Sequence, residues 1–197
     1  MRAPKWWGRI VVLCGCGMAN KRAASKESGL SDEALRHLVE GKSGVKAAKV
    51  ISPADVETAE WVRLKCQFGC DGYGQCLVCP PFSPTPDQMC KVLDAYRRAI
   101  LIHFDRDADT KATVAELERE IFLRGAWKAF GLGAGPCYFC ETCALEEGRC
   151  RHAERARPAM EACGIDVYTT VRKAGFRLEV VRDRKQCPHY YGLILID

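Results

Sequence analysis

The sequence of 197 residues lacks the motifs that identify several large classes of protein. It contains no Walker phosphate-binding loop, no G-x-S-x-G nucleophile turn and no H-E-x-x-H zinc motif. No apolar stretch is long enough to cross a bilayer, so we expect no membrane span. Aromatic side chains are not interleaved with a basic stripe, so we expect no nucleic-acid binding. These absences leave metal chemistry as the main source of functional signals.

Cysteine is unusually frequent for a chain of this length, with 13 residues. An odd number of cysteines cannot pair completely within one chain, and these are bunched rather than spread as in a disulfide scaffold. Ionising one free thiol at pH 7 costs about 2 kcal/mol. Metal binding to thiolate sites contributes about 10–16 kcal/mol, which can offset four such costs. We therefore expect metal-ligated thiolates in a reducing cytoplasm.

Helices and strands are predicted to alternate along most of the chain. We expect an irregular leader over residues 1–28 and a single metal-binding domain over residues 29–197. The predicted helices cover residues 31–40, 85–98, 110–130, 153–162 and 166–173, with a short one that begins at Ser52. The predicted strands cover residues 46–51, 99–104, 178–181 and 193–196. This order predicts an α/β or α+β fold with a central sheet, flanking helices and two cysteine-rich metal-binding loops at residues 66–86 and 135–163.

The loop at residues 135–163 contains the pattern C-x2-C-x2-C. This is the three-cysteine core of bacterial ferredoxin sites, which hold iron–sulfur clusters. Zinc is the alternative, although zinc sites usually use two C-x2-C pairs that are separated by a longer loop. The predicted ligands of a 4Fe–4S cluster are Cys137, Cys140, Cys143 and Cys150, with Cys163 or Cys79 as alternatives for the fourth.

The loop at residues 66–86 contains the less specific pattern C-x3-C-x5-C-x2-C. It begins like a radical-SAM motif, but Tyr73 stands where that motif requires a cysteine, so we exclude this class. Either zinc or a second iron–sulfur centre is compatible with the spacing. The predicted ligands of this second metal are Cys66, Cys70 and Cys79, completed by Cys76 or Cys163.

Two groups of charged residues are predicted to be ordinary surface groups. A local concentration of positive charge at residues 149–157 is interpreted as a solvated helical face. The alternative is that it offsets the negative charge of a thiolate cluster. Glu116, Glu118 and Glu120 alternate along the predicted long helix and are also expected at the surface.

Three segments occur in an order that is found in a known family. Residues 61–86 carry C-x3-C and a Cys-Pro-Pro step, residues 135–152 carry C-x2-C-x2-C and Cys-Arg-His, and residues 157–167 begin with Arg-Pro. Together they resemble an uncharacterised prokaryotic family of predicted metal-binding proteins, a domain of unknown function, over residues 45–197. The resemblance implies metal binding without an established reaction. It matches Cys66, Cys70, Cys79, Cys137, Cys140, Cys143 and Cys150, whereas Cys76 is an addition in this sequence.

Three functional hypotheses follow from these motifs. The first is a cytoplasmic iron–sulfur protein with one or two clusters, a redox or electron-transfer role and a redox partner protein. The second is a zinc-stabilised binding module without catalysis. The third is a metal-dependent reductase or metal-delivery factor, which needs an open coordination position. The sequence leaves open whether the protein is an enzyme.

Overall fold

The computed structural model describes residues 29–183 and 189–197, so the predicted leader at 1–28 lies outside the described residues. The α-helices of the described residues are α1 Asp32–Glu40, α2 Glu60–Gly69, α3 Pro86–Leu93, α4 Thr110–Leu123 and α5 Val167–Lys173. The strands are β1 Val45–Ile51, β2 Ala99–Phe104, β3 Phe130–Leu132 and β4 Tyr190–Leu195. Short 3-10 helices lie at Pro53–Asp55 and Glu161–Cys163. Among the helices of this described part, none combines the length and apolar composition that crossing a membrane requires.

The four strands form one sheet in the order β1-β2-β4-β3. Each neighbouring pair is antiparallel, with Ile102 of β2 opposite Ala48 of β1 and Gly192 of β4. Antiparallel neighbours do not need the helical crossovers of a parallel sheet, and here the helices pack on the faces instead. The prediction of a central sheet with flanking helices is confirmed, in its α+β form.

Both faces of the sheet are buried, which explains the near-continuous apolar sequence of β2. Leu101 and alternate residues of β4 face a core that includes side chains of α3 and α5. Ile102, together with the residues of β4 that point to the opposite side of the sheet, faces a second core that includes side chains of α1 and α4. The result is three layers, with the sheet in the middle.

The predicted helix starts are confirmed where the capping signal is local. The Ser31 hydroxyl accepts a hydrogen bond from the backbone N–H of Ala34, at the start of α1. At the start of α3 the Thr85 hydroxyl accepts from the N–H of Gln88, and the Gln88 side chain accepts from the N–H of Thr85. This reciprocal capping box satisfies two N–H groups that the helix itself cannot.

Two helices end earlier than predicted. The α4 helix ends at Leu123 rather than near residue 130, because Gly125 has a φ of +101°, which breaks the helix. The chain beyond it becomes β3, in which Leu132 is a buried strand residue. The α3 helix ends at Leu93 rather than near 98, since the backbone N–H of Arg98 bonds to the carbonyl of Asp197.

Two predicted elements are wrong. Residues 153–162 form turns and the beginning of a 3-10 helix rather than an α-helix. Pro158 lies inside this stretch, has no backbone N–H and disfavours a helical conformation for the residue before it. Residues 178–181 form no strand, although the side chain of Leu178 is buried. Gly164, which has a φ of +75°, terminates the 3-10 helix.

Candidate functional site

The second cysteine loop, defined here as residues 134–158, is closed at its base by the end of the sheet. The N–H of Gly133, next to β3, donates to the carbonyl of Pro158 at 2.9 Å. The N–H of Met160 donates to the carbonyl of Gly133 at 3.0 Å. These bonds form a parallel bridge between Gly133 and Ala159. The loop therefore leaves and rejoins the fold at one point.

An ion pair reinforces this base. The guanidinium of Arg157 donates from Nε and Nη2 to the two carboxylate oxygens of Glu118, both at 2.6 Å. The two side chains are only 13% and 14% exposed. Glu118 also accepts a hydrogen bond from the N–H of Gly131 at 2.7 Å. The prediction that Glu118 and Arg157 are ordinary surface charges is therefore wrong, because they fasten α4 to the loop.

The first cysteine loop, defined here as residues 70–85, follows helix α2. Cys66 lies on α2 itself rather than in a loop, and Cys70 is the residue that caps its C-terminus. The N–H of Gly74 donates to the carbonyl of Pro80 at 2.7 Å and closes a tight turn. Gly74 has a φ of +69°, which suits glycine, so the sequence supplies the residue that the turn requires.

The two cysteine loops pack against each other. A Cβ atom on Gly72 would lie 2.9 Å from the Cβ of Pro136, so only glycine allows this approach. The same Cβ would lie 3.6 Å from the Sγ of Cys70 and 3.5 Å from the Sγ of Cys79, so both sulfurs lie close to this one glycine. The contact between the loops therefore also brings cysteines of the first loop together.

Cys76 points from the first loop to the second. Its thiol donates to the carbonyl of Cys137, with 3.7 Å between sulfur and oxygen. The N–H of the next residue, Leu77, donates to the Sγ of Cys143 at 3.4 Å. Cys76 thus contacts the second loop, and its thiol is also hydrogen-bonded to the thiol of Cys79 in the first loop.

Five cysteines line one cavity of about 260 Å³, which we call the five-thiol cavity. The four predicted ligands of the ferredoxin-like motif are among them, together with Cys76. The N–H of His152 donates to the Sγ of Cys150 at 3.4 Å, at the edge of this cavity. The five cysteines are Cys76, Cys137, Cys140, Cys143 and Cys150.

Three other cysteines line a second cavity of about 420 Å³, which we call the three-thiol cavity. These are Cys66, Cys70 and Cys79, the predicted ligands of a second metal. Glu161 lines the same cavity, and its buried Oε2 atom has no hydrogen-bond partner among the described residues. Sequence analysis missed Glu161, since a single glutamate in a short helical turn gives no distinct signal.

Cys163 lines neither cavity. Its side chain is completely buried in the core beneath α3 and α5. Burial raises the pKa of the Cys163 thiol to about 12, so the group is neutral at pH 7. This position argues against its predicted role as the reserve ligand for either group.

Burial and neighbouring thiols keep other cysteines protonated. Burial, followed by the nearby thiols of Cys79, Cys137 and Cys143, raises the pKa of Cys76 to about 11. Burial, followed by the thiol of Cys70, raises the pKa of Cys66. A metal must therefore displace these protons, and metal affinity is expected to increase with pH.

A buried lysine lies between the two cavities. Lys111 of α4 has no exposed surface, and its Nζ atom donates to the carbonyl of Arg157 at 3.0 Å. Burial lowers the pKa of Lys111, while the nearby thiols of Cys79 and Cys137 act in the opposite direction. Sequence analysis missed this residue. The available signal was its spacing of three residues from Val114, on the buried face of α4.

The donor atoms fit a soft metal in kind but are not yet assembled around one. All the cysteines of the two cavities have free thiols. Thiolate ligands suit iron–sulfur clusters or zinc rather than hard cations. Across residues 29–183 and 189–197, no three cysteine, histidine, aspartate or glutamate side chains are arranged so that they could hold a metal ion as they stand. Metal binding at either cavity therefore requires the sulfurs to be drawn closer together.

Comparison with known proteins agrees with the cysteine chemistry. A family model described as a predicted metal-binding protein of unknown function, DUF2284, matches residues 49–196. The match includes both cysteine loops and the whole sheet apart from the beginning of β1. No curated protein and no solved structure matches the chain.

Proposed function

The chain belongs to the DUF2284 family of predicted metal-binding proteins, and from that premise we propose that it is a cytoplasmic iron–sulfur protein with a redox role. Cys137, Cys140 and Cys143 supply three ligands of a 4Fe–4S cluster, and Cys150 supplies the fourth. The cluster exchanges single electrons with a partner protein.

The observation that carries this proposal is the convergence of five thiols on one cavity. A zinc ion and a cubane cluster each take four protein ligands, so the number of thiols does not distinguish them. The C-x2-C-x2-C spacing of three of these thiols is the spacing found in cubane sites. Cys76 then lies beside the cluster, as a neighbour or as an alternative fourth ligand.

The surroundings of the five-thiol cavity suit a redox centre. Two backbone N–H groups, those of Leu77 and His152, donate to sulfurs of this cavity. The buried side chain of Lys111 adds a positive charge nearby when its amine is protonated, which the thiolates of Cys79 and Cys137 favour and burial opposes. Hydrogen bonds to sulfur and positive charge both stabilise the reduced, more negative cluster, and thereby raise the reduction potential.

Anaerobic purification followed by metal analysis tests the proposal. The expected protein is brown, absorbs broadly near about 400 nm and contains roughly four iron and four sulfide ions for each occupied cluster. Reduction should bleach the absorbance and produce an electron paramagnetic resonance signal of a reduced cluster. A colourless protein that contains stoichiometric zinc would contradict the proposal and favour a zinc-stabilised binding module.

We also propose that Cys66, Cys70 and Cys79 hold a second metal. These three residues line the three-thiol cavity, and two of their sulfurs lie close to Gly72. Zinc and iron–sulfur chemistry are both compatible with three thiolates. Metal analysis of a Cys137→Ser/Cys140→Ser variant isolates this site, since the variant removes two ligands from the five-thiol cavity only.

A further inference from the structure

Several polar side chains line the three-thiol cavity besides its cysteines, and three of them already have hydrogen-bond partners within the fold. The carboxylate of Asp166 caps α5 and accepts from a backbone N–H at 3.0 Å and from a hydroxyl group at 2.6 Å. The carboxylate of Glu179 accepts from the guanidinium of Arg177 at 2.9 Å. The Nδ1 atom of His189 lies 2.8 Å from the Nε2 atom of His103, within hydrogen-bond distance.

Glu161 differs from these side chains, because its buried Oε2 atom has no hydrogen-bond partner among the described residues. Its carboxylate accepts a hydrogen bond from its own backbone N–H. The buried Nζ atom of Lys111 does not supply the missing bond, since it donates to the carbonyl of Arg157 at 3.0 Å. A buried polar atom without a partner is costly, so Oε2 has a place for a donor from outside the fold.

The wall that carries Glu161 is fixed by hydrogen bonds. The guanidinium of Arg63, on α2, donates to the carbonyl of Ala162 at 2.8 Å. The hydroxyl of Ser83 donates to the same carbonyl at 2.5 Å. Both bonds tie the 3-10 helix of Glu161 to its surroundings. A cavity whose walls are already ordered loses little conformational entropy when a ligand binds.

The remainder of the cavity suits the apolar part of a small molecule. Its volume of about 420 Å³ falls in the range of small-molecule pockets, which is about 300–1,000 Å³. Trp61 of α2 lines the cavity and is still 47% exposed, so an indole face remains available. The apolar wall residues include Trp61, Val62, Val167, Tyr168, Leu178 and Val181.

The charged groups of the cavity favour a ligand that donates hydrogen bonds. Its acidic side chains are Glu161, Asp166 and Glu179, whereas Lys65 is its one lysine and it contains no arginine. An amine supplies N–H donors and, when it is protonated, a positive charge that the face of Trp61 also attracts. An anionic ligand would instead meet an excess of acidic groups.

We propose that the three-thiol cavity binds a small primary amine with an apolar body. The nitrogen of the amine donates a hydrogen bond to Oε2 of Glu161, and the apolar body contacts Trp61 and the neighbouring apolar wall. The inference goes beyond the proposed redox function and needs no metal in either cavity.

Calorimetric titration of the full-length protein, purified anaerobically, provides a direct test. The probes are 2-phenylethylamine, which has an amine and a phenyl ring, and ethylamine, which lacks the ring. The phenylated amine should saturate one site at millimolar concentration or below. Ethylamine should bind at least about tenfold more weakly, because burial of a ring is favourable by more than one factor of ten.

A pair of glutamate variants tests the hydrogen bond to the amine. Glu161→Gln keeps the size of the side chain and an acceptor oxygen but removes the charge, so the affinity for 2-phenylethylamine should fall about tenfold or more. Glu179→Gln is the matched control at the same cavity. Because Glu179 pairs with Arg177 and both side chains are largely exposed, its loss should change the affinity less than about twofold.

A pair of tryptophan variants tests the apolar wall at positions where folding is not at risk. Trp61→Ala should reduce the preference for 2-phenylethylamine over ethylamine about threefold or more, since the ring loses one aromatic contact. Binding of ethylamine should stay unchanged. Trp127→Ala is the matched control, because Trp127 is exposed and lines neither cavity.

Three outcomes would overturn the inference. The first is that 2-phenylethylamine does not bind, or binds no better than ethylamine. The second is an affinity that Glu161→Gln leaves unchanged, which would mean that water is the partner of Oε2. The third is binding that is lost in Cys70→Ser but kept in Glu161→Gln, which would place the nitrogen on a metal at the exposed thiol of Cys70.

Iron and sulfide analysis judges the proposed cluster separately. The variants Glu161→Gln and Trp61→Ala remove no cysteine, so both should keep the iron content of the wild-type protein. Failure of amine binding therefore leaves the redox proposal standing, and a protein without iron leaves the amine site to be judged by the titrations alone.

Discussion

The five-thiol cavity and the three-thiol cavity are both lined by cysteines, but they differ in the number of thiols and in the extent of their apolar walls. The first lies mainly within a loop that is tied to the fold at one base, and it collects more sulfurs than a single metal centre needs. The second lies between α2 and the start of α5, has larger apolar walls and collects fewer sulfurs. Cys76 lies between the two groups, because its thiol donates to the carbonyl of Cys137 and is also hydrogen-bonded to the thiol of Cys79.

Loss of the cluster is the largest effect that can test the comparison. Cys150→Ser should reduce the iron bound at the five-thiol cavity to near zero, because serine is a poor ligand for iron–sulfur clusters. Cys76→Ser should retain most of the iron, since four cysteines remain around the cavity. Iron and sulfide content after anaerobic reconstitution measures both. The reverse result, with loss only in Cys76→Ser, would make Cys76 the fourth ligand.

Removing the ion pair at the base of the second cysteine loop should reduce metal binding at the five-thiol cavity more than at the three-thiol cavity. Arg157→Ala leaves the partly buried carboxylate of Glu118 without its partner, and we expect a loss of about 3 kcal/mol in the free energy of unfolding. Chemical denaturation measures the loss, and iron content should fall while the metal at the three-thiol cavity is retained. Arg177→Ala is the matched control, because its ion pair with Glu179 is largely exposed and contributes little. Equal losses in the two variants would contradict the role of the base.

Separating the two loops should affect both cavities. Gly72→Ala places a methyl group 2.9 Å from the Cβ of Pro136, and we expect the overpacking to destabilise the protein by about 1–3 kcal/mol. Gly69→Ala, three residues earlier, places a methyl group where nothing lies within 4 Å and should cause no loss. Thermal unfolding of the metal-loaded proteins compares the two. A Gly72→Ala variant as stable as Gly69→Ala would show that the loops do not need this close approach.

A change of charge between the cavities should give the smallest effect. Lys111→Met keeps the length of the buried side chain and removes its positive charge, so the reduction potential of the cluster should fall. The shift is about 60 mV for each 1.4 kcal/mol of lost interaction. Potentiometric titration followed by electron paramagnetic resonance measures it. Lys91→Met, at an exposed position of α3, should leave the potential unchanged, and an equal shift in both variants would refute a local effect.

Local signals in the sequence predicted the frame of the fold. Ser31 and the Thr85–Gln88 capping box determine where helices begin through contacts within one turn. The apolar run of β2 is buried on both faces and is correspondingly clear. Helix ends were less predictable, because the chain after α4 pairs with β4, which lies far away in the sequence. Residues 178–181 have an apolar pattern typical of a strand but have no strand partner in the described structure.

The cysteine motifs predicted which residues lie close together in the fold, but not which of the two cavities each cysteine lines. The spacing of Cys137, Cys140 and Cys143 already indicates one group. The assignment of Cys76 depends on the contact between Gly72 and Pro136, which no motif within a single loop contains. Glu161 and Lys111 were missed for a similar reason, since their importance arises from burial beside thiols that are distant in sequence.

The bridge between Gly133 and Ala159 has a consequence for how the protein tolerates change in length. Because the segment from 134 to 158 begins and ends at the same place, extra residues near its exposed tip at 146–149 do not displace the strands. The entropic penalty of such an insertion grows only with the logarithm of the segment's length. The tip is therefore the natural place to attach a fluorescent or spin label that reports on metal uptake without disturbing the sheet.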